Sequence, residues 1–257
     1  MDKKDSLVFG RNAVIELLKS GHPVNKVLIN SENRSNRNAD ILSLMKERGV
    51  PYQFVERAVL DKFSGGDKHQ NIVAFTAARE YVETEDILNI ARQKGEDPFI
   101  LVLDELEDPH NLGALLRTAD AAGVHGIIIP TRRSVGLTPA VAKTSAGAIE
   151  YVPVARVGNL VQALKQLKKA GCWVTGAEAG GRDVFSADLS GPRVLVVGGE
   201  DKGLGRLIKE TCDEIVSLPM LGKMSSLNAS AAGSILMYEV RRQRISGHND
   251  NSRQSSS

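Results

Sequence analysis

From Phe99 onward, short apolar segments alternate with segments of helical periodicity, and this alternation is what most constrains the fold. The apolar segments are FILVLD, GIIIP, YVPV, CWVTGA, RVLVVGG and EIVSLP, and the helical ones lie near 112–122, 140–148, 160–169, 204–210 and 227–244. Short buried strands that alternate with helices are typical of a mostly parallel sheet covered on both faces. We therefore predict an α/β fold for residues 99–245.

The chain before Phe99 predicts a second, smaller α/β unit over residues 1–80. Helical periodicity at 12–19 and 40–48 alternates there with short apolar segments at 26–30, 52–55 and 72–75. Residues 81–98 are charged and end in GEDP, which favours a linker. Residues 246–257 contain no apolar side chain, so we predict a disordered tail.

Composition narrows the function classes. No uninterrupted apolar run approaches the ~20 residues needed to span a bilayer, and MDKKDSLVFG lacks the apolar stretch of a secretory signal, so we expect a cytoplasmic protein without membrane contact. The two cysteines, Cys172 and Cys212, are 40 positions apart. That spacing fits neither a disulfide framework nor a zinc site, and we expect no metal.

The charge distribution bears on the partner. The net charge is only +2, but residues 1–80 carry 13 Lys and Arg against 10 Asp and Glu. A mildly basic front end is compatible with an RNA partner and equally with ordinary surface variation. Phosphate attraction supplies RNA affinity whatever the sequence, so our candidates for RNA-backbone contacts are Arg11, Arg34, Arg37, Lys68 and His69.

Three loops rich in Gly, Asn, Ser and acidic residues follow predicted strands. They are DELEDPHNLG after FILVLD, GGEDKGLG after RVLVV, and PMLGKMSSLN after EIVSL. Such loops converge at the carboxyl edge of a parallel sheet, where ligands bind. The loop at 198–205 matches neither GxxxxGK[ST] nor GxGxxG, which argues against a nicotinamide-dependent oxidoreductase.

Two of these loops lead into helices that carry candidate side chains. Arg117 lies in an apolar helix, where a guanidinium needs an acidic partner or a ligand, and its planar fork of donors suits a phosphodiester. Asn111 could face the same strand ends. Ser226 and Asn228 open the last helix, either as capping residues or as groups that hold a ligand.

Taken together, NLGALLRTADAAG, GGEDKGL and LPMLGKMSSLNASAAGSILMYEV resemble, in order and spacing, the three motifs of the SpoU (TrmH) family of S-adenosylmethionine-dependent RNA ribose 2′-O-methyltransferases. The likeness covers residues 99–245. FGRNAVIELL and HQNIVAF resemble the ribosomal-protein-L30e-like substrate-binding domain of many members, with Asn71 where relatives often have Gly. Within the family, the chain is most similar to the bacterial enzyme that methylates a guanosine ribose in large-subunit ribosomal RNA.

The resemblance implies a SPOUT-type sheet with a C-terminal trefoil knot, a homodimer, and S-adenosylmethionine as cofactor. It implies catalytic positions in all three motifs, at Asn111, Arg117, Glu200, Ser226 and Asn228. It also implies cofactor contacts at the loop and strand ends, at Gly198, Gly199, Leu218, Met220, Leu227, Thr175, Gly176 and Ala177.

Arg117 has a specific role in the mechanism that we expect. Methyl transfer from a sulfonium requires the ribose oxygen in line with the methyl carbon at roughly 3 Å. An arginine with a pKa above ~12 is a poor base, so our hypothesis is that Arg117 clamps the adjacent phosphate and stabilises the developing alkoxide. Two alternatives stay open: a transfer-RNA ribose methyltransferase of the same family, and a catalytically silent RNA-binding protein.

Overall fold

The structure is a computed structural model that describes residues 7–33, 39–64, 69–199 and 202–254. The chain forms two compact units. Unit 1 comprises Met1–Glu80 together with Gly136–Ala142, and unit 2 comprises Tyr81–Val135 and Lys143–Ser257. Among the described residues, no helix combines the length and the apolar character needed to cross a membrane.

Unit 1 contains a four-stranded sheet with the order β1-β4-β2-β3. Its elements are β1 (Leu7–Phe9), α1 (Arg11–Lys19), β2 (Val24–Asn30), α2 (Ala39–Glu47), β3 (Tyr52–Val55), α3 (Arg57–Ser64) and β4 (Ile72–Thr76). The β2–β3 pair is parallel, and β4 pairs with β1 and β2 antiparallel. Neither β1 nor α3 is predicted from the sequence, since both are short, at three and eight residues.

Unit 2 begins with α4 (Thr84–Lys94), inside the stretch that the sequence presents as a linker. Ile87 and Leu88 of this helix lie in the main core cluster of the unit. The elements that follow along the chain are β5 (Phe99–Asp104), α5 (Pro109–Ala122), β6 (Gly126–Pro130), α6 (Pro139–Thr144), β7 (Val154–Val157), α7 (Leu160–Lys169), β8 (Trp173–Asp183), β9 (Arg193–Gly198), α8 (Arg206–Thr211), β10 (Glu214–Ser217) and α9 (Ala229–Gln254). All of them belong to unit 2 except α6, whose first four residues belong to unit 1.

The sheet of unit 2 has the order β10-β8-β9-β5-β6-β7, and every neighbouring pair is parallel. This confirms the predicted parallel α/β sheet. From β5 the chain first builds β6 and β7 on one side and then crosses to β8, β9 and β10 on the other. The reversal of strand order lies between β5 and β9, and such a switch point is where open parallel sheets bind ligands.

Helix α9 covers one face of this sheet and lies against α5. A Cβ on Gly233 would lie 2.6 Å from a methyl group of Leu115, so the glycine lets the two helices approach closely. Thr118 and Ser234 share a hydroxyl hydrogen bond of 2.9 Å across the same contact. The helix continues to Gln254, whereas the sequence predicts a disordered tail from residue 246.

Candidate active site

The loop after β9 is anchored to the ends of two neighbouring strands. The last residue of β5, Asp104, accepts a hydrogen bond of 2.9 Å from the backbone N–H of Gly205. Glu178 of β8 accepts another of 2.9 Å from the N–H of Leu204 and pairs with Lys209 at 2.9 Å. The two carboxylates therefore fix the loop at the carboxyl edge of the sheet, beside the switch point.

The two anchoring carboxylates differ in their electrostatics. Burial raises the pKa of Asp104, against the lowering effect of the Gly205 N–H, and the neighbouring Glu105 adds to the rise. Burial alone would also raise the pKa of Glu178, but the N–H of Leu204 and the ammonium of Lys209 outweigh it, so the pKa is lowered. The two carboxylates thus have pKa values shifted in opposite directions, although each accepts a hydrogen bond from a loop N–H.

The glycines of this loop allow a close approach of backbone to backbone. A Cβ on Gly199 would lie 2.6 Å from the carbonyl oxygen of Glu105. Gly199 also bridges Gly203, whose N–H donates to the Gly199 carbonyl at 3.1 Å. Gly203 has a φ of 61°, the left-handed region that glycine adopts without strain. Side chains at Gly198 or Gly199 would push the loop off the sheet edge.

The loops after β5 and β6 are joined by an ion pair between two residues of positive φ. Glu105 and Arg133 are both non-glycine residues with positive φ, 54° and 53°, and their side chains pair at 2.8 Å. The Arg133 guanidinium lowers the pKa of Glu105. This pair joins the loops that follow β5 and β6.

Helix α5 carries the two candidate residues of the first motif. Asp108 caps the helix by accepting the His110 N–H, and Pro109 occupies the first turn. Asn111 in that turn is buried, whereas Arg117 is exposed and makes no hydrogen bond or ion pair with a described residue. The two side chains therefore differ in burial, and the expectation that both face the same strand ends stays a prediction.

The segment between β10 and α9 carries the third-motif candidates. The side chain of Asn228 accepts hydrogen bonds from the N–H groups of Ser230 and Ala231, so it is the N-cap of α9. This is the capping role that the sequence leaves open. Ser226 is exposed, and Leu218 is half-buried. Four apolar side chains of this segment are exposed: Met220, Leu221, Met224 and Leu227.

Thr175 lies in a buried polar network. Its hydroxyl donates to Glu214 at 2.9 Å and accepts from Arg193 at 2.9 Å, and Arg193 pairs with Glu214 at 2.9 Å. A Cβ on Gly176 would lie within 2.9 Å of side-chain atoms of Leu204, Cys212 and Ile215. The Thr175 side chain is thus engaged in a polar network, and the space beside Gly176 is filled by neighbouring side chains.

The RNA-binding candidates of unit 1 divide into two groups. Arg34, Arg37 and Lys68 lie outside the described residues, as does Glu200 of unit 2. Arg11 and His69 are described. Arg11 pairs with Asp40 and thereby lowers the pKa of that carboxyl.

His69 differs from the exposed phosphate contact that the sequence suggests. The residue is 5% exposed, and both ring nitrogens are engaged, one with Asp61 at 2.8 Å and the other with the N–H of Asn71 at 3.1 Å. Asn71 has a φ of 66°, a conformation that suits Asn and Gly best. Asn can therefore occupy a position where relatives carry Gly.

Sequence reasoning missed the anchoring residues Asp104, Glu105 and Glu178. Asp104 had a visible signal, because it ends the apolar run FILVLD. Glu178 had none, because its partner N–H is 26 positions further along the chain. Within the described residues there is no cluster of three or more His, Cys, Asp and Glu side chains that could hold a metal ion.

Two family profiles match the chain. The SpoU rRNA methylase family matches residues 98–238, and the RNA 2′-O ribose methyltransferase substrate-binding family matches residues 7–82. The chain belongs to the SpoU rRNA methylase family.

Relatives and solved structures agree with this assignment. The chain is 50% identical over 245 residues to YacO of Bacillus subtilis (strain 168), named as a TrmH family tRNA/rRNA methyltransferase, which covers 95% of this chain and 98% of that protein. It is similar to the SpoU methyltransferase AviRb of Streptomyces viridochromogenes in complex with AdoMet, with 28% identity, TM-score 0.59 and coverage of 93% and 90%. It is also similar to an AdoMet-bound rRNA methyltransferase of Sinorhizobium meliloti, with 25% identity, TM-score 0.57 and coverage of 92% and 87%.

Proposed function

We propose that this protein transfers a methyl group from S-adenosylmethionine to a ribose 2′-hydroxyl in RNA, with a guanosine of large-subunit ribosomal RNA as the first candidate. The observation that carries the proposal is the anchoring of the 199–205 loop at the β5–β9 switch point. The two similar solved structures with AdoMet support the choice of cofactor.

The residues at this edge fit such a cofactor. S-adenosylmethionine supplies an electrophilic methyl group on a sulfonium, whose departure leaves a neutral thioether. The backbone at Gly198 and Gly199 lies at the end of β9, and Ala177 is the last residue of β8 that pairs with β9. Leu218, Met220 and Leu227 offer apolar surface to a purine. For Thr175 and Gly176 we now assign backbone or packing roles, because their side-chain positions face the sheet interior.

Arg117 is the residue to which we assign the substrate phosphate. Its guanidinium is exposed and has no ion pair among the described residues, so it can bind a phosphodiester through two parallel hydrogen bonds. In that position it also stabilises the negative charge that develops on the ribose oxygen, while phosphate or water accepts the proton. Asn111, buried in the first turn, holds the loop after β5, and Ser226 and Asn228 order the start of α9.

Three further features belong to the proposal. The family is homodimeric, and the exposed side chains Met220, Leu221, Met224 and Leu227 give this chain an apolar surface that a second copy would cover. The family's trefoil knot is expected in the segment that leads from β10 into α9. Unit 1 is assigned to RNA binding, in line with its substrate-binding family match.

Mapping of ribose methylation in RNA from cells with and without the protein tests this function. We expect one ribosomal position to lose its methyl group, and labelled-methyl transfer to purified ribosomal and transfer RNA separates the two substrate classes. The Arg117→Ala variant should lose at least tenfold in turnover, while Arg92→Ala, which removes an exposed arginine of α4 paired with Glu85, should keep it. A fully active Arg117→Ala enzyme with unchanged RNA affinity would contradict the assigned role.

A further inference from the structure

The two faces of the unit 1 sheet are covered unequally. Helices α1 and α2 cover one face, where Val14, Leu18, Ile41 and Met45 pack against the strands. On the other face, the part of unit 1 that the structure describes places α3, a helix of eight residues, whose Leu60 packs on Leu28 and Val73. Part of this second face is open to solvent, since Lys26 and Phe63 are exposed.

The open part presents aromatic rings and a lysine. Leu7, Phe75 and Lys26 form one row across β1, β4 and β2, as the strand registers place them opposite one another. Phe63, in the last turn of α3, packs edge-on against Phe75 with ring centroids 5.1 Å apart. We name Leu7, Lys26, Phe63 and Phe75 the aromatic patch.

Phe63 leaves a large part of its ring accessible to solvent. Phenylalanine is among the residues most often buried in folded proteins, yet Phe63 is 40% exposed in unit 1. Four of the six phenylalanines of the chain, at positions 9, 54, 63 and 75, lie within the first 80 residues. The unit that matches a substrate-binding family thus holds most of the chain's benzyl side chains.

Charge at the patch favours an anionic partner. The ammonium of Lys26 lies 4.8 Å from the centroid of the Phe75 ring and makes no ion pair with a described residue. The acidic residue of α3, Asp61, is already engaged by His69 at 2.8 Å and Arg57 at 4.0 Å. Lys26 thus lies beside the half-buried ring of Phe75, on which the exposed ring of Phe63 packs. Proteins bind single-stranded RNA with a cation close to an exposed ring, because the ring stacks on a base and the cation attracts the phosphate.

We propose that the aromatic patch binds an unpaired nucleotide of the substrate RNA, with the base stacked on Phe63 and its phosphate close to Lys26. The inference rests on the proposed function in that RNA is the ligand. A base within a duplex is already stacked on its neighbours, so the patch selects a loop, a bulge or a single strand.

The test uses the full-length protein and a short single-stranded RNA that carries 2-aminopurine, whose fluorescence falls when an aromatic ring stacks on it. Loss of a stacked ring weakens RNA binding by about 5- to 100-fold. We expect Phe63→Leu to raise the Kd at least fivefold and to abolish the quenching, and Phe63→Tyr to restore both. Lys26→Gln should weaken binding and reduce its salt dependence.

Tyr52 provides the matched control. It is 45% exposed on β3 of the same sheet and packs edge-on against Phe54, a residue of the opposite face. Tyr52→Leu should leave the Kd and the quenching unchanged. With a duplex probe in place of the single strand, wild type and Phe63→Leu should have the same Kd and the same fluorescence. Equal effects of Phe63→Leu and Tyr52→Leu, or full quenching by Phe63→Leu, would refute the proposal.

Methyl transfer to ribosomal RNA, measured separately, distinguishes the two proposals. Quenching that depends on Phe63 without any methyl transfer would leave the patch in place and overturn the proposed function. Methyl transfer with RNA affinity independent of Phe63 would overturn the patch alone.

Discussion

Replacement of Thr175 by valine separates two roles for this residue, a cofactor contact and a member of the buried network. Valine keeps the shape but removes the hydroxyl that donates to Glu214 and accepts from Arg193. The side chain of Arg193 is only 6% exposed, and that of Glu214 is 21% exposed. Valine therefore removes one hydrogen bond from Arg193 and one from Glu214, and both of these partners carry a charge.

The structure sets the size of the effect. Hydrogen bonds to charged groups contribute about 1.5–3 kcal/mol each. Arg193 keeps its bonds to Glu214 and to the carbonyls of Asp188 and Ser190, and Glu214 retains some access to water. We therefore expect a loss of about 2–3 kcal/mol in the free energy of unfolding. At about 2–4 °C per kcal/mol for a domain of this size, the Tm should fall by about 4–12 °C.

Urea unfolding and thermal scans measure the loss, and calorimetric titration with S-adenosylmethionine measures the cofactor Kd in the same variant. We expect reduced stability with an unchanged Kd. Thr211→Val is the matched control, because that hydroxyl bonds only to the carbonyl of Leu207 within α8, and it should cost less than about 0.5 kcal/mol. Unchanged stability together with a tenfold weaker Kd for Thr175→Val would refute the network role and return Thr175 to the cofactor.

Three further outcomes follow from single sites. Burial lowers the pKa of His125 against the raising effect of Glu96, and the Nδ1 atom of His125 accepts the Phe99 N–H at 2.9 Å. The stability that neutral His125 contributes is therefore present above its unfolded pKa of about 6.5. It is lost as the pH falls through the lower pKa of the folded state. His125→Gln should flatten the dependence of the urea midpoint on pH between about pH 8 and about pH 5, and an unchanged slope would exclude His125 as its source. Asn71→Ala should lower the free energy of unfolding in urea by about 1–2 kcal/mol because alanine tolerates a positive φ poorly, whereas Asn71→Gly should lower it less. Equal losses in the two variants would instead assign the cost to the hydrogen bond that the Asn71 side chain accepts from Asn30. Asp104→Asn should preserve cofactor affinity because an amide oxygen can still accept the Gly205 N–H. Asp104→Leu should weaken cofactor binding about tenfold, because it leaves that N–H unpaired. Titration calorimetry measures both variants, and equal affinities would mean that the Asp104–Gly205 hydrogen bond does not contribute to cofactor binding.

The sequence predicts the elements of unit 2 well where local signals agree. The run FILVLD is β5, GIIIP is β6, and the periodicity at 160–169 is α7 with Asn159 as its N-cap. Strand order is different, because it is decided by which buried faces pack together and not by any local pattern. The insertion of β9 between β8 and β5 is such a long-range result.

Helix α4 shows why a charged stretch was interpreted as a linker. Only Ile87, Leu88 and Ala91 of this helix are buried, and charged side chains surround them. A stripe of three residues is enough when the helix packs against a core built by other elements. Local signals were present nonetheless, because Asp86 accepts the Glu83 N–H at the start and Gly95 ends the helix.

The candidate site was predictable as a set of loops but not as a set of side-chain positions. The motifs contain Gly198, which ends β9, and Asn228, which caps α9. They could not show that Asn111 is buried while Arg117 is exposed, because that depends on how α5 packs against α9. The buried position of His69 likewise follows from its contact with Asp61, which no spacing encodes.

Unit 1 takes one of its pieces, Gly136–Ala142, from the middle of the chain. The carbonyl of Leu137 accepts hydrogen bonds from the Ala78 N–H and from the side chain of Asn25. During translation, the ribosome must therefore add roughly 60 further residues after Glu80 before unit 1 has all its parts, a delay of roughly 3–12 s at ~5–20 residues per second. An amino-terminal fragment cut at residue 80 would leave the Ala78 N–H without its acceptor, so an expression vector for this unit should carry the chain through Ala142.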